Sequence, residues 1–274
     1  MKTNNTFLFS IDLEDVRENV ENKHLYKDRV IENTQVYLNW LKQHQSKCTF
    51  FTVGKVAEAH PELIQTILAE GHEIACHSYA HTPVANQTPE EFRIDLSKNI
   101  QALQKAGCTN IKGYRAPIFS IDKRCEWAYD IMKELGITYS SSVLPAKNPL
   151  YGWPEFGQEY KQLPNGIIEF PISLDRFGPL NLPFAGGVYF RALPEFLILR
   201  SFKKYFKNNQ PALSYFHPYD LDTQQEKFMH SGINDNKFFN WLMYYNRENL
   251  IKRLDKVIAL NAHITTYSEF ISKL

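Results

Sequence analysis

The sequence predicts an α/β fold in which parallel strands close into a (β/α) barrel, and three observations carry that expectation. Short β-rich runs alternate with longer helical ones in units of about 30 residues, the pattern of a parallel sheet with helices outside it. A chain of 274 residues has room for about six to eight such units, enough to close a ring. Several runs also end in chemically capable residues at strand-to-loop junctions, where a (β/α) barrel keeps its active face. A flat doubly wound sheet is the alternative.

In chain order, residues 6–11 form a β-rich run that ends at Asp12. Residues 26–44 carry Val30, Ile31, Tyr37, Leu38 and Leu41 at helical spacing, and 48–53 is again strand-like. Residues 56–70 read as a helix (Ala57, Leu63, Ile64, Ile67, Leu68) stopped by Gly71, with a short strand at 72–76. A helix at 89–106 has Gly107 past its end. A strand at 112–115, a helix at 123–135 up to Gly136 and a strand at 137–140 follow. The stretch 145–194 differs, with eight prolines and no helical period, and reads as loops and hairpins inserted between barrel units. Regular structure resumes with a helix at 194–205, an apolar run at 212–216, a helix at 247–260 and a last strand at 263–267. No linker, internal repeat or low-complexity tract appears, so residues 1–274 are expected to form a single domain.

Composition narrows the function classes. Lys+Arg is 31 against Asp+Glu 30, a formal net charge of +1, which removes the chain-wide electrostatic case for nucleic acid. A charged fraction of 22% beside 19 Phe and 15 Tyr excludes a disordered chain. No window approaches about 18 uninterrupted apolar residues, so no transmembrane segment is expected. The first apolar run is too short for a secretory signal. Cys48, Cys76, Cys108 and Cys125 form no CxxC pair and lie in apolar segments, which suits free thiols in a reducing, cytoplasmic compartment.

Candidate site residues sit where the strand-like runs end. His77-Ser-Tyr-Ala-His81 places two imidazoles at i and i+4, expected on one side of a helical turn and close enough to share a metal. Two polar residues capping a turn would satisfy the same spacing. Ser10-Ile11-Asp12-Leu13-Glu14-Asp15 offers three carboxylates, enough for one to ligate metal and another to act as general base. Asp12 follows an apolar strand directly, so its charge needs a metal or the Arg115 guanidinium as a partner. Gly113-Tyr114-Arg115-Ala116-Pro117-Ile118-Phe119 puts an arginine at a strand end, and Pro117 stiffens a loop that could aim the next backbone N–H at an oxyanion. His217 in Phe216-His217-Pro218-Tyr219 is singled out only by its place in the strand order.

These residues resemble the polysaccharide deacetylases of the NodB-homology type, carbohydrate esterase family four. His77-Ser78-x-x-His81 resembles that family's metal-binding motif. Tyr114-Arg115-Ala116-Pro117-Ile118-Phe119-Ser120 resembles its Arg-containing groove motif, and Leu213-Ser214-Tyr215-Phe216-His217-Pro218-Tyr219 its final His motif. A subgroup associated with exopolysaccharide clusters is similar at Ile11-Asp12-Leu13-Glu14-Asp15, at 113–121 and at Gly186-Gly187-Val188-Tyr189-Phe190-Arg191. The resemblance implies a distorted (β/α) barrel with seven or eight parallel strands. It also implies a metal-dependent hydrolase that removes the N-acetyl group from an N-acetylated sugar of a surface polysaccharide or glycan intermediate. It makes Asp12 the general base, with Arg115 as its tether, and His217 the general acid. His77 and His81 become metal ligands, and Pro117 and Ile118 the oxyanion turn. Zn2+ is the default metal, with Co2+ or Ni2+ as alternatives.

Two departures from the family pattern stand out. The common first motif is Thr-Phe-Asp-Asp-Gly, and Leu13 occupies the place of its metal-binding second Asp. The carboxylate ligand is then Glu14 or Asp15, and Glu14 shares a strand face with Asp12 if the backbone stays extended. The usual Trp-containing fourth motif is missing, so the residue orienting His217 is unassigned, and Asp175 is named for it without support from spacing. Alternatives are deformylation of a lipid-linked amino sugar and a non-catalytic carbohydrate-binding pseudoenzyme. A glycoside hydrolase with paired carboxylates leaves the His pair and Arg115 without a role. The expected partner is an N-acylated sugar or glycan, not nucleic acid. Peripheral membrane contact could come from a basic amphipathic face formed by Phe196, Leu197, Leu199, Phe202 and Phe206 with Arg200, Lys203, Lys204 and Lys207. A helix packed on the barrel with solvated lysines explains the same pattern.

Overall fold

Side-chain alternation along the first strand organises the molecule. Phe7, Phe9, Ile11 and Leu13 point outward into one apolar cluster with the helices, whereas Leu8 points inward to a second cluster with Phe51, Ala75, Tyr139 and Phe170. Ser10 and Asp12 share the inward face of Leu8, so polar chemistry is carried into the ring by the same two-residue period that builds its core.

The computed structural model describes residues 5–148, 150–230, 233 and 235–274. Residues 1–4, and Pro149 of the expected insertion, lie outside the described residues. The strands are β1 (Thr6–Leu8), β2 (Ser10–Leu13), β3 (Thr49–Thr52), β4 (Glu73–Cys76), β5 (Gly113–Tyr114), β6 (Tyr139–Ser140), β7 (Lys161–Gln162), β8 (Ile168–Glu169), β9 (Leu174–Phe177), β10 (Leu180–Pro183), β11 (Ala212–Leu213) and β12 (His263–Thr265). β1 and β2, parted at Phe9, act as one bent strand. It pairs in parallel with β11 and β12 at its start and with β3 at its end, and a bridge from Ile11 to Phe216 prolongs the β11 contact. β3, β4, β5, β6 and β8 continue in parallel order, with β7 antiparallel at the edge.

The result is a distorted (β/α) barrel of parallel strands. Among the described residues the ladder does not close. Between the β8 side and β11 the link is a Ser173 hydroxyl accepting from the Leu213 N–H at 2.8 Å, with no strand pairing.

The flanking helices follow their sequence signals. Pro89–Lys105 starts with a Thr88–Glu91 capping box and Pro89 in its first turn. The single helix expected at 56–70 is two, Gly54–Ala59 and Pro61–Ala69, because His60 precedes a proline and leaves the helical region. Helix Glu195–Lys207 buries Ile198, Phe202, Tyr205 and Phe206, with Phe202 packed edge-on against Phe7 at 5.0 Å. Phe202 and Phe206 of the suggested membrane face are therefore core residues and Leu197 and Leu199 are half-buried, whereas Phe196 is exposed beside the solvated Arg200, Lys203, Lys204 and Lys207. Residues 145–194 hold two antiparallel hairpins (β7–β8 and β9–β10) and a helix, Gly187–Ala192, and β8 is also a parallel strand of the ring beside β6, so the stretch supplies a ring strand and is more than an insertion. Two elements carried no expectation: helix Lys237–Tyr244 and the last short helix Tyr267–Ile271. No helix among the described residues is long and apolar enough to cross a membrane. All four cysteines are free and buried.

Candidate active site

Arg115 extends the inward face of β5 and is wholly buried. Each of its five N–H groups has a partner. Nε donates to the Ser141 carbonyl (3.2 Å), Nη1 to Asp12 Oδ1 (2.6 Å) and Ser10 Oγ (2.9 Å), and Nη2 to Ser141 Oγ (3.0 Å) and the Tyr267 hydroxyl (2.9 Å). The Phe51 ring lies 4.0 Å from the guanidinium carbon. One oxygen of Asp12 is thereby pinned. The other, Oδ2, is 4.0 Å from His77 Nε2. Burial acts to lower the Arg115 pKa, but the Asp12 carboxylate outweighs it and raises it.

His77 continues the inward face of β4. Its Nδ1 faces the Arg115 carbonyl oxygen at 2.8 Å, which assigns that nitrogen as donor and leaves Nε2 with a free lone pair. The expected helical turn between the two histidines is absent. Residues 77–82 form a loop with Ser78 (φ 66°) and His81 (φ 58°) in the left-handed region. Two anchors hold the loop: Asn99 accepts from the His77 N–H (3.0 Å), and the Ser78 carbonyl accepts from the Gly54 N–H (3.0 Å). The imidazoles meet edge-to-face with centroids 5.1 Å apart.

Glu14 completes the cluster. Asp12 and Glu14 share the inward face, Leu13 is buried outward, and Asp15 turns away to cap a 3-10 turn. Asp15 pairs with Arg17 at 2.6 Å. The first-motif carboxylate at the imidazoles is therefore Glu14, and Asp15 has no place among them. Glu14 Oε2 is 2.6 Å from His81 Nε2, and ligand atoms of Glu14, His77 and His81 all lie within 4.8 Å of one another. Tetrahedral ligands at about 2.0–2.2 Å from an ion stand about 3.3–3.6 Å apart, so two imidazoles and one carboxylate fit a divalent cation with a coordination position left over. Burial raises the Glu14 pKa, but the neighbouring charge and hydrogen bond of His81 hold it well below the usual carboxylate range. Burial pulls His77 down to about 4.

His217 faces the cluster from the end of the β11 segment, with Nε2 3.8 Å from Glu14 Oε1. Its orienting residue is Asp220, not Asp175. Asp220 Oδ2 accepts from the His217 backbone N–H and lies 2.9 Å from Nδ1. Asp175 instead binds Ser201 (2.7 Å) and Lys204 (2.6 Å) on helix Glu195–Lys207. Burial works to lower the His217 pKa, yet the carboxylates of Asp220, Glu14 and Asp12 together take it up to about 9. Asp220, which burial would raise, is held at about 2 by Arg191 and His217. The sequence carried a signal for Asp220: Pro218 starts a turn capped by His217, and Asp220, three places after His217, reaches back to it. Tyr219, which the sequence motif contains without a role, also belongs to the site. Its ring stacks on His217 at 4.8 Å and its hydroxyl donates to Glu14 Oε1 at 3.2 Å.

Pro117 is buried and Ile118 is half-exposed on the rim, with φ 57°. A β-branched residue held there stores on the order of 1–3 kcal/mol, a cost that persists where surrounding structure enforces it, commonly at functional sites. Asp12, Glu14, His77, His81 and His217 line a cavity of about 360 Å³. Its outer wall comes from the 145–194 stretch through Lys147, Asn181, Leu182 and Tyr189. A second arm of about 480 Å³ runs from Glu14 and His81 past Tyr219 to His230 and Met243.

Residues 25–140 match the family described as polysaccharide deacetylase, and residues 141–271 match a domain of unknown function (DUF3473). A peptidoglycan-N-acetylglucosamine deacetylase from Bacillus cereus is 34% identical over 99 residues, covering 36% of this chain and 36% of that protein. The chain spans well under half the length of the curated relatives it matches. Among solved structures, a Mycobacterium smegmatis protein assigned as a polysaccharide deacetylase superposes with TM-score 0.60 at 18% identity, over 96% of this chain and 89% of that one. A carbohydrate esterase family 4 pseudoenzyme from Bacillus anthracis superposes with TM-score 0.54 at 13% identity, over 98% of this chain and 66% of that one. At these identities the structural likeness is one of fold.

Proposed function

Because the chain belongs to the polysaccharide deacetylase family, carbohydrate esterase family four, we propose that it is a metal-dependent hydrolase removing the N-acetyl group from a sugar of a polysaccharide or glycan intermediate. The observation that carries this reading is the gathering of Glu14, His77 and His81 beside the Asp12–Arg115 pair. Those three residues would hold the divalent ion, with Zn2+ the default for an N/O donor set and Co2+ or Ni2+ as alternatives. When bound, such an ion polarises the acyl carbonyl and activates a water.

The protein's own groups divide the proton work. Asp12, steered by Arg115, takes the proton from the attacking water through the oxygen that faces the cluster. The Pro117–Ile118 turn offers a backbone amide to the developing oxyanion. His217, whose pKa of about 9 keeps it protonated at neutral pH, gives its proton to the nitrogen as the C–N bond breaks, so the sugar amine leaves neutral. Residues 25–140 and 141–271 serve as one catalytic domain in this reading, since β6 pairs with β8 across the division and β1, which precedes both segments, pairs with β11 and β12.

A second reading, a carbohydrate-binding pseudoenzyme, is favoured by Leu13 in place of the usual acidic ligand. Release of acetate and of formate from N-acylated sugars, with and without chelator, tests both readings. Acetate release that chelator abolishes and Asp12→Asn cuts by about 100-fold or more, with metal content unchanged, is expected. Metal-loaded protein that releases neither acid favours the pseudoenzyme. Formate release alone makes it a deformylase.

A further inference from the structure

The segment Gly186-Gly187-Val188-Tyr189-Phe190-Arg191 ends in a side chain as deeply buried as Arg115, and the reaction outlined above gives that side chain no role. Its placement is specific. The Gly186 backbone is bridged to Tyr215, two residues before His217, and a Cβ at Gly186 would stand 2.2 Å from the Tyr215 carbonyl oxygen. Gly187 has φ +54° and meets the Tyr215 ring. Only a pair of glycines lets the chain lie this close and turn into helix Gly187–Ala192, which carries Arg191 inward.

Arg191 then divides its guanidinium between two elements. Nε (3.2 Å) and Nη2 (3.0 Å) donate to Asp220 Oδ1, whose other oxygen holds His217. Nη1 donates to the Leu242 (3.3 Å) and Tyr245 carbonyls and Nη2 to Met243 (3.2 Å), which close helix Lys237–Tyr244. Asn246 Nδ2 returns a bond to the Arg191 carbonyl at 2.7 Å. That helix lines the second arm of the cleft through Met243.

We propose that Arg191 is a positioning residue for proton delivery: it fixes Asp220, and through it the His217 imidazole. A carboxylate with one oxygen captured by charge-assisted bonds cannot rotate, so its second oxygen fixes the ring that donates to the amine. The inference rests on the deacetylase reading, because it concerns the proton that an amine leaving group needs.

The test compares two substrates on metal-loaded protein: an N-acetylglucosamine oligomer, whose amine must be protonated to leave, and 4-nitrophenyl acetate, whose aryloxide leaves unprotonated. Arg191→Met is expected to lower kcat on the amide by about 100-fold, with KM within about twofold and ester turnover within about threefold. Arg191→Lys should recover part of the amide rate. In a His217→Gln background neither change should cost the amide rate anything further, because the group being positioned is gone. If Arg191→Met fails to fold, Arg191→Lys and the His217→Gln background still decide the matter. Equal losses on amide and ester, or additive losses with His217→Gln, would overturn the assignment. A wild-type protein that releases acetate from neither substrate would sink the deacetylase reading itself.

Discussion

Replacing Arg115 by Met removes a buried cation and keeps most of the side-chain volume. Five hydrogen bonds disappear, to Ser141 O, Ser141 Oγ, Ser10 Oγ, Asp12 Oδ1 and the Tyr267 hydroxyl. Their losses are unequal. The hydroxyls can turn to partners already at hand, since Tyr267 sits 3.3 Å from Ser141 Oγ and Ser10 Oγ already donates to the Ser214 carbonyl. Asp12 cannot, because it is 3% exposed and Arg115 is its ion-pair partner at 2.6 Å. Breaking a buried pair on one side costs about 3–5 kcal/mol, mostly from the charge left behind. That corresponds to a Tm lower by about 10 °C in a domain of this size. Removing the stranded charge as well, in Arg115→Met with Asp12→Asn, should recover a large part of the loss, so the double variant is expected to melt higher than Arg115→Met alone. Calorimetry of metal-stripped wild type, both single variants and the double variant gives the coupling directly. A double variant that melts no higher than Arg115→Met, or an Arg115→Met shift below about 2 °C, would refute the view that this pair holds a stranded charge in the barrel.

Three further outcomes follow from the site geometry. Glu14→Gln should weaken metal binding by at least about 100-fold, whereas Asp15→Asn, which touches only the Arg17 pair, should leave metal content unchanged by plasma mass spectrometry; the reverse would return the ligand role to Asp15. The His217 pKa is raised in the folded state to about 9 from an ordinary 6.5. Its contribution to stability is therefore present in full below about pH 6.5 and is lost as pH rises through about 9. The Tm difference between metal-stripped wild type and His217→Gln should accordingly shrink from pH 6 to pH 10, and a constant or growing gap would contradict the Asp220 pairing. Gly186→Ala should destabilise by about 1–3 kcal/mol through the clash with the Tyr215 carbonyl, and denaturant midpoints at wild-type values would show that the contact can relax.

Much of the site was legible because a strand has a two-residue period and a (β/α) barrel presents its strand ends on one face. Asp12, His77, Arg115 and His217 all follow apolar runs, and the fold brings them together for that reason. The same period separates Glu14 from Leu13 and Asp15, since residues two apart face the same way. Local rules failed where backbone conformation departs from regular structure. The His77–His81 spacing suggested a helical turn, but Ser78 and His81 are left-handed and the loop is held by Asn99 and Gly54 from elsewhere in the chain.

The amino-acid sequence by itself determined the alternation of strands and helices, the shared face of Asp12 and Glu14 and the residue types available for chemistry, because these depend on short-range periodicity and steric preference. Only the tertiary structure decided which buried charges face each other. Arg191 and Asp220 are 29 residues apart, Arg115 and Asp12 are 103 apart, and Asp175, an aspartate like Asp220, pairs with Lys204 on a neighbouring helix. A charge taken out of water must find its counter-charge in space, and chain closure, not spacing along the sequence, sets which one is within reach.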